Sequence, residues 1–191
     1  MKNRKIIIRF NAPVVLTFSL LALLATFLGV WTDGRATALY FSVYRSPLSD
    51  PLTYLRFFTH VLGHSDYSHY MGNMLLLLLV GPTVEEKYGH KATFWCIFTT
   101  ALVTGLVQFL FFPNAMLLGA SGVVFLMIVL SSFTEMKKEG IPITLIFVVI
   151  FYLGGEIVDG LFSADNISQL THIIGGVLGL IFGFTIKSHR R

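Results

Sequence analysis

The sequence predicts an all-α membrane protein, a bundle of six transmembrane helices. Three observations lead there. Hydrophobic residues make up 54% of the chain and charged residues only 13%, against about 25% charged in a soluble domain. Apolar stretches come repeatedly near the ~20 residues that cross a bilayer. The Lys and Arg residues gather in alternate connections between those stretches, the asymmetry that orients a chain in a membrane.

The first span, Pro13–Trp31, follows Lys2, Arg4, Lys5 and Arg9 and precedes Ala36-Thr37-Ala38. A signal peptide has that layout, but its apolar segment runs only ~7–15 residues, so this stretch reads as a retained first helix. The connection Thr32–Asp66 carries Tyr40, Phe41, Tyr44, Tyr54, Phe57 and Phe58 with Pro47 and Pro51. Aromatic side chains favour the headgroup region, so a long interfacial loop is expected between helices 1 and 2. The second and third spans are Tyr67–Glu85 and Thr93–Phe111. The fourth, Ser121–Phe133, is short, which fits a helix that begins below the membrane surface. Ile143–Gly160 and Ser168–Ile186 complete the set. On the last span Gly175, Gly179 and Gly183 recur every four residues, forming a face that lets two helix backbones approach closely. Cys96 is the single cysteine; it lies mid-span and reads as a small packing residue. No soluble domain, repeat or low-complexity run intervenes, so residues 1–191 read as one six-helix membrane domain.

Charge supports this layout. With the amino terminus inside, the inner segments hold Lys2, Arg4, Lys5, Arg9, Lys87, Lys91, Lys137, Lys138, Lys187, Arg190 and Arg191, eleven in all, against Arg35, Arg45 and Arg56 outside. Both termini are then cytosolic. The net charge of +4 is a membrane-orientation signal under this reading, and no nucleic-acid partner is expected.

Gly119-Ala120-Ser121-Gly122 places a hydroxyl among small residues where the fourth span begins, and His172 interrupts the sixth. Such polar residues are costly in hydrocarbon unless they pair or face a water-filled cavity. Spans two, four and six run in the same direction, so depth can be compared. Ser121 precedes Met136 by 15 residues, His172 precedes Lys187 by 15, and Asn73 precedes Lys87 by 14. At about 1.5 Å per residue each lies roughly 21–22 Å above its inner anchor, which puts all three at one level. His69 is four residues before Asn73 and shares its helix face.

Amide cleavage needs a nucleophile, a proton acceptor and donors aimed at the developing oxyanion. Ser121 suits the first role and His172, titrating near neutrality, the second. Backbone N–H groups at the start of the fourth helix, with Asn73 and His69, suit the third. Gly119 and Gly122 would permit a tight turn and close substrate approach. No acidic residue lies near His172 on its helix, which favours a dyad. His60, His64 and His69 have spacing only suggestive of metal ligation; no metal and no cofactor is expected.

These residues resemble the rhomboid intramembrane serine proteases of the minimal six-helix bacterial kind, from about Leu55 to Gly183. Gly119-Ala120-Ser121-Gly122 resembles the family's Gly-x-Ser-Gly turn. His172-Ile173-Ile174-Gly175 with Gly179 resembles its His-x-x-Gly-x-x-x-Gly. His69 and Asn73 resemble its oxyanion motif, and Thr59-His60 and His64 fall at family spacing. Gly81, Glu85 and Gly89 resemble its Gly-x-x-x-Glu-x-x-x-Gly. Phe125 occupies the position of an aromatic that packs against the catalytic histidine, often Tyr in the family. Leu55-Arg56 stands where the family often has Trp-Arg. The resemblance implies a plasma-membrane enzyme that cleaves single-span membrane proteins near the outer face. It also implies a preference for small residues at the cut site, and gating by the fifth helix and the loop after it.

Two other functions compete. A small transporter would place polar residues at several depths, whereas the inner halves of spans two, four and six are almost wholly apolar. A catalytically inactive rhomboid-like binding protein would lack Ser121 or His172, and both are present. Other intramembrane protease classes lack their signatures here: no His-Glu-x-x-His occurs, and no span carries paired aspartates.

Overall fold

The computed structural model describes residues 11–134, 140–154 and 166–187. The order is α1 (Pro13–Trp31), α2 (Arg35–Tyr40), α3 (Pro51–Thr59), a 3₁₀ turn (His60–Leu62), α4 (Tyr67–Tyr88), α5 (His90–Phe111), α6 (Ser121–Phe133), α7 (Ile143–Val148) and α8 (Asn166–Thr185). α7 runs on into a π turn at Val149–Leu153. No strand occurs among the described residues, so the all-α expectation holds. Lys2, Arg4, Lys5, Arg9, Met136, Lys137, Lys138, the end of the expected fifth span with Glu156 and Asp159, Asp165, Arg190 and Arg191 lie outside the described residues.

Helical periodicity decides what is buried. On α4 the buried residues are Tyr70, Asn73, Met74, Leu77, Gly81, Val84, Glu85 and Tyr88, one stripe at intervals of three and four. The opposite face is not polar: Leu75 is 69% and Leu79 72% exposed. A face that is apolar and uncovered belongs against lipid. α1 and α5 are long and apolar enough to cross a membrane; α6 and Gln169–Thr185 of α8 are apolar but shorter. α6 differs from its neighbours because every residue from Gly122 to Leu130 is buried. A helix that is apolar and covered all round is a core helix.

Three glycines bring α8 onto α6. A Cβ on Gly175 would fall inside the van der Waals shell of the Gly122 carbonyl oxygen. One on Gly179 would lie 2.8 Å from Val129 Cβ and 2.9 Å from the Leu126 carbonyl oxygen, and one on Gly183 would meet the Phe133 ring. The glycine face read from the sequence is therefore the α6–α8 contact.

α1 is held by a carboxylate from another helix. Glu85 is 1% exposed, and its two oxygens accept the Val14 and Val15 N–H groups, both at 2.9 Å. Its Oε1 also lies 2.6 Å from His90 Nδ1. Glu85 thus caps the α1 amino terminus from α4, meeting amides that have no intrahelical partner. Gly81, one turn back, lets α4 approach Val15 at that end.

The connection between α1 and α4 is more ordered than an interfacial loop. Two short helices and a 3₁₀ turn occupy it, braced by Arg56, which is 2% exposed. Arg56 Nε donates to the Leu39 carbonyl at 2.8 Å, and Nη1 reaches Asp50 Oδ2 at 3.2 Å and Ser46 Oγ at 3.4 Å. The guanidinium also lies 4.7 Å from the Tyr44 ring centroid. Asp50 meanwhile caps α3 through the Leu52 N–H. The aromatic residues divide: Phe57 and Phe58 pack on Phe109 and Phe98 of α5, while Tyr40 and Tyr54 stay exposed.

Two measurements check this packing. Glu85→Ala leaves the Val14 and Val15 amides without their acceptor and should cost about 1–3 kcal/mol, read as a lowered unfolding midpoint in detergent; an unchanged midpoint would show that α1 is not held this way. Gly179→Leu should insert normally yet lower stability by about 1–3 kcal/mol through overpacking, and a variant as stable as the parent would remove Gly179 from the α6–α8 contact.

Candidate active site

Ser121 is the first residue of α6, and the chain reaches it through a turn pinned at two points. Val43 and Leu117 exchange both backbone hydrogen bonds at 2.9 Å, and the Gly119 N–H donates to the His60 carbonyl at 3.0 Å. Gly119 has φ of 126°, a conformation L side chains rarely adopt. Its open side faces the His69 ring, with Cε1 and Nε2 only 3.1 and 3.2 Å from where a Cβ would stand. Ala120 offers α6 no side-chain cap, which leaves the first amides of the helix to an incoming oxygen or to water.

His172 comes to this turn because α8 is packed there. Gly122 faces Thr171, whose Cγ2 would lie 3.0 Å from a Cβ at Gly122. Gly175, three residues after His172, meets the Gly122 carbonyl. Phe125, one turn after Ser121, stacks on His172 with centroids 4.3 Å apart and planes 5° from parallel. The ring is therefore set against α6 on its flat side. This corrects one expectation. Gly122 is not part of the tight turn; it lies inside α6, and its missing side chain makes room for Thr171 and Gly175. Gly119 alone supplies the turn.

The His69–Asn73 pair stands on the facing side. Asn73 is 8% exposed, and its Nδ2 donates to the His69 carbonyl at 3.1 Å, using one of two N–H groups. His69 Nδ1 lies 3.3 Å from Ser65 Oγ, and Ser65 Oγ donates to Asp66 Oδ2 at 2.8 Å. The other Asp66 oxygen caps α4 by accepting the His69 N–H at 2.8 Å. His69 and His172 are near enough for their charges to interact.

His60 and His64 are struts behind this front. His60 Nδ1 lies 3.1 Å from the Arg56 carbonyl and Nε2 3.2 Å from Thr104 Oγ1. A carbonyl can only accept, so Nδ1 carries the hydrogen of the neutral ring, while the Thr104 hydroxyl donates to the Thr100 carbonyl at 2.7 Å. Burial pushes the His60 pKa down to about 4. His64 is also lowered to about 4, by burial first and by the neighbouring His69 charge second. Its ring stands edge-on to His69 at 5.0 Å. Gln108 and Asp66 were not singled out from the sequence, and Arg56 was noted there only as an outer charge and a family position. Gln108 Nε2 donates to the Ala115 carbonyl at 2.9 Å and the Phe112 carbonyl at 3.3 Å, holding the strap that leads to Ser121. A glutamine inside an apolar span was the available signal. An apolar groove of about 360 Å³ between α1 and α5 is lined by none of these site residues.

An α-helical bundle with a serine at a helix start, a histidine on the adjoining helix and paired His and Asn opposite defines an intramembrane class of protein. The chain belongs to the rhomboid family: the model of the rhomboid domain matches residues 51–189. Rhomboid-related protein 1 of Caenorhabditis elegans is 34% identical over 144 residues, which is 69% of this chain and 39% of that protein. Rhomboid-related protein 2 of Mus musculus is 27% identical over 92% of this chain and 65% of its own length. Rhomboid-like protein 11, chloroplastic, of Arabidopsis thaliana is 25% identical over 66% of this chain and half of its own length, 50%. The chain thus spans between 39% and 65% of these relatives.

The two neutral struts carry a pH signature. Their folded values near 4 lie below the ordinary ~6.5 of an unfolded histidine. Between those values the unfolded chain binds protons that the folded chain refuses, so stability is full above about pH 6.5 and falls as pH drops toward 4, by up to ~1.4 kcal/mol per pH unit per group. Thermal unfolding in detergent should follow that slope from a starting point well above carboxylate titration. His60→Gln should flatten it, and a parental slope in that variant would sink the assignment.

Proposed function

We propose that this protein is an intramembrane serine endopeptidase that cleaves single-span membrane proteins within or beside their transmembrane segment. The observation that carries the reading is the seating of the Ser121 turn against the His172 turn, with Phe125 stacked flat on the imidazole. Ser121 Oγ is the nucleophile and His172 the general base, which takes the hydroxyl proton and returns it to the leaving amine. The tetrahedral oxyanion is met by the Ser121 backbone N–H, by Asn73 and by His69. The uncapped start of α6 adds its positive dipole end. Gly119, Gly122, Gly175 and Gly179 fix the backbone approach, Phe125 orients the base, and His60 and His64 hold the surrounding turns. No cofactor or metal takes part. The orientation proposed from charge puts both termini in the cytosol and the site toward the outer face of a bacterial plasma membrane. The bilayer and single-span substrates are the partners.

The test compares purified protein with Ser121→Ala, His172→Ala and the double variant on a transmembrane substrate in detergent and in vesicles. Each single variant should lose about 10⁴-fold or more in kcat, and the double no more than either, because members of one catalytic unit are not additive. A fluorophosphonate should label the parent and not Ser121→Ala. Cleavage by Ser121→Ala at the parental rate would refute the mechanism. No cleavage and no labelling by the folded parent would favour an inactive binding protein of the same shape. Asn73→Ala should lower kcat by about 10²–10³-fold, the loss measured for one oxyanion donor elsewhere, and an unchanged kcat would leave Asn73 a structural role.

A further inference from the structure

Asp66 and Ser65 have no part in the chemistry above, yet they touch His69 at both its backbone and its ring. Asp66 is ionised at neutral pH: the His69 N–H and the Ser65 hydroxyl hold its carboxyl below the usual value. A carboxylate only accepts, so the Ser65 hydroxyl hydrogen in the 2.8 Å contact points at Asp66 Oδ2. The Ser65 oxygen is then left with acceptor capacity alone. His69 Nδ1, 3.3 Å from that oxygen, must carry a hydrogen to use it. A neutral imidazole has a single N–H. Nε2, the atom beside Gly119, is therefore a bare lone pair in the neutral ring.

We propose that the Asp66–Ser65 pair is a positioning relay that locks neutral His69 in its Nδ1–H form, so that Nε2 can donate to the oxyanion only when the ring is a cation. This rests on the reading of His69 as an oxyanion donor. It adds a requirement which that reading lacks: His69 must be charged while His172 is neutral. The groups that bear on His69 set this balance. Asp66 stands at the α4 cap, its Oδ1 2.8 Å from the His69 N–H, and His172 of α8 is a second imidazole within electrostatic reach. His64 stands edge-on at 5.0 Å and stays neutral through burial. Activity should then fall on the alkaline side as His69 loses its proton.

Asp66→Asn tests the relay by reversing it. The Asn carbonyl keeps the α4 cap, while its amide N–H₂ now donates to Ser65 Oγ. The Ser65 hydroxyl hydrogen is released to donate to His69 Nδ1, and neutral His69 becomes Nε2–H. Nitrogen NMR of ¹⁵N-histidine-labelled protein in detergent reads the tautomer directly: Nδ1–H in the parent and Nε2–H in Asp66→Asn. The pH profile of kcat on the transmembrane substrate should lose its alkaline limb in Asp66→Asn. Ser65→Ala, which leaves the cap untouched, should abolish the Nδ1–H preference and covers the case of an unstable Asp66→Asn. A neutral parental ring in the Nε2–H form, or an Asp66→Asn ring still in the Nδ1–H form, overturns the relay. A reversed tautomer with an unchanged pH profile would uphold the relay and instead remove His69 from the oxyanion hole.

Discussion

The approach of α8 to α6 at Gly175 and Gly122 is the constraint on which the rest of the molecule depends. No side chain separates the two backbones there. Between helices in a bilayer there is little hydrophobic force to pull them together, so close contact and dispersion must do so. Adding one methyl group at Gly175 would push α8 outward along its length. Thr171 and His172 would move with it, because they sit on the turn that Gly122 accommodates. The flat stacking of Phe125 on His172 needs the same spacing. One contact between two glycines therefore sets both the helix separation and the position of the imidazole relative to Ser121.

Buried polar groups divide the remaining labour. Each spans two elements that apolar packing alone would leave free to slide. Glu85 ties α4 to the start of α1, Arg56 ties α3 to the end of α2, and His60 ties the 3₁₀ turn to α5. A carboxylate or guanidinium buried without partners would be costly; here each meets backbone groups that themselves lack intrahelical partners. The cost of burial is offset twice, once for the side chain and once for the helix end or turn it satisfies. These are directional contacts, so they also choose one register where a greasy interface would accept several.

Much of this was legible in the sequence because a bilayer limits the options. Span length follows from membrane thickness, and the four-residue glycine spacing on α8 could only mean a face. The sequence put Ser121 and His172 at one depth, and the structure packs their neighbours Gly122 and Thr171 together. The brace around Arg56 was not readable. Its partners, Leu39, Ser46 and Asp50, are brought together by the fold of the connection itself, and an aromatic-rich composition resembles an unstructured interfacial loop. Gly122 was misassigned for a related reason. A Gly-x-Ser-Gly string looks like one turn, but α6 begins at the serine, so the second glycine already points along the helix toward α8. The path from Asp66 through Ser65 to the His69 ring appears only when the ring's rotamer is known.

The connection before α4 has a larger role than covering the bundle. α6 is short, and something must determine where it starts. That start is fixed from outside the helix, by the Val43–Leu117 bridge and by the His60 carbonyl that accepts the Gly119 N–H. His60 is held to α5 through Thr104, and Gly105 lets the Phe57 backbone and the His60 ring lie close against α5. The chain of contacts runs from α5 to the 3₁₀ turn, then to the Gly119 turn and Ser121. A serine placed this way has its backbone position set by rigid neighbours, while the α6 amides beside it remain uncapped by any side chain. Preorganised donors of this kind need no rearrangement when charge develops on a substrate oxygen. The same connection also carries Ser65 and Asp66 to His69. Under the proposed chemistry, one segment between the first two long helices thus positions the nucleophile on one side of the substrate oxygen and tunes a donor on the other.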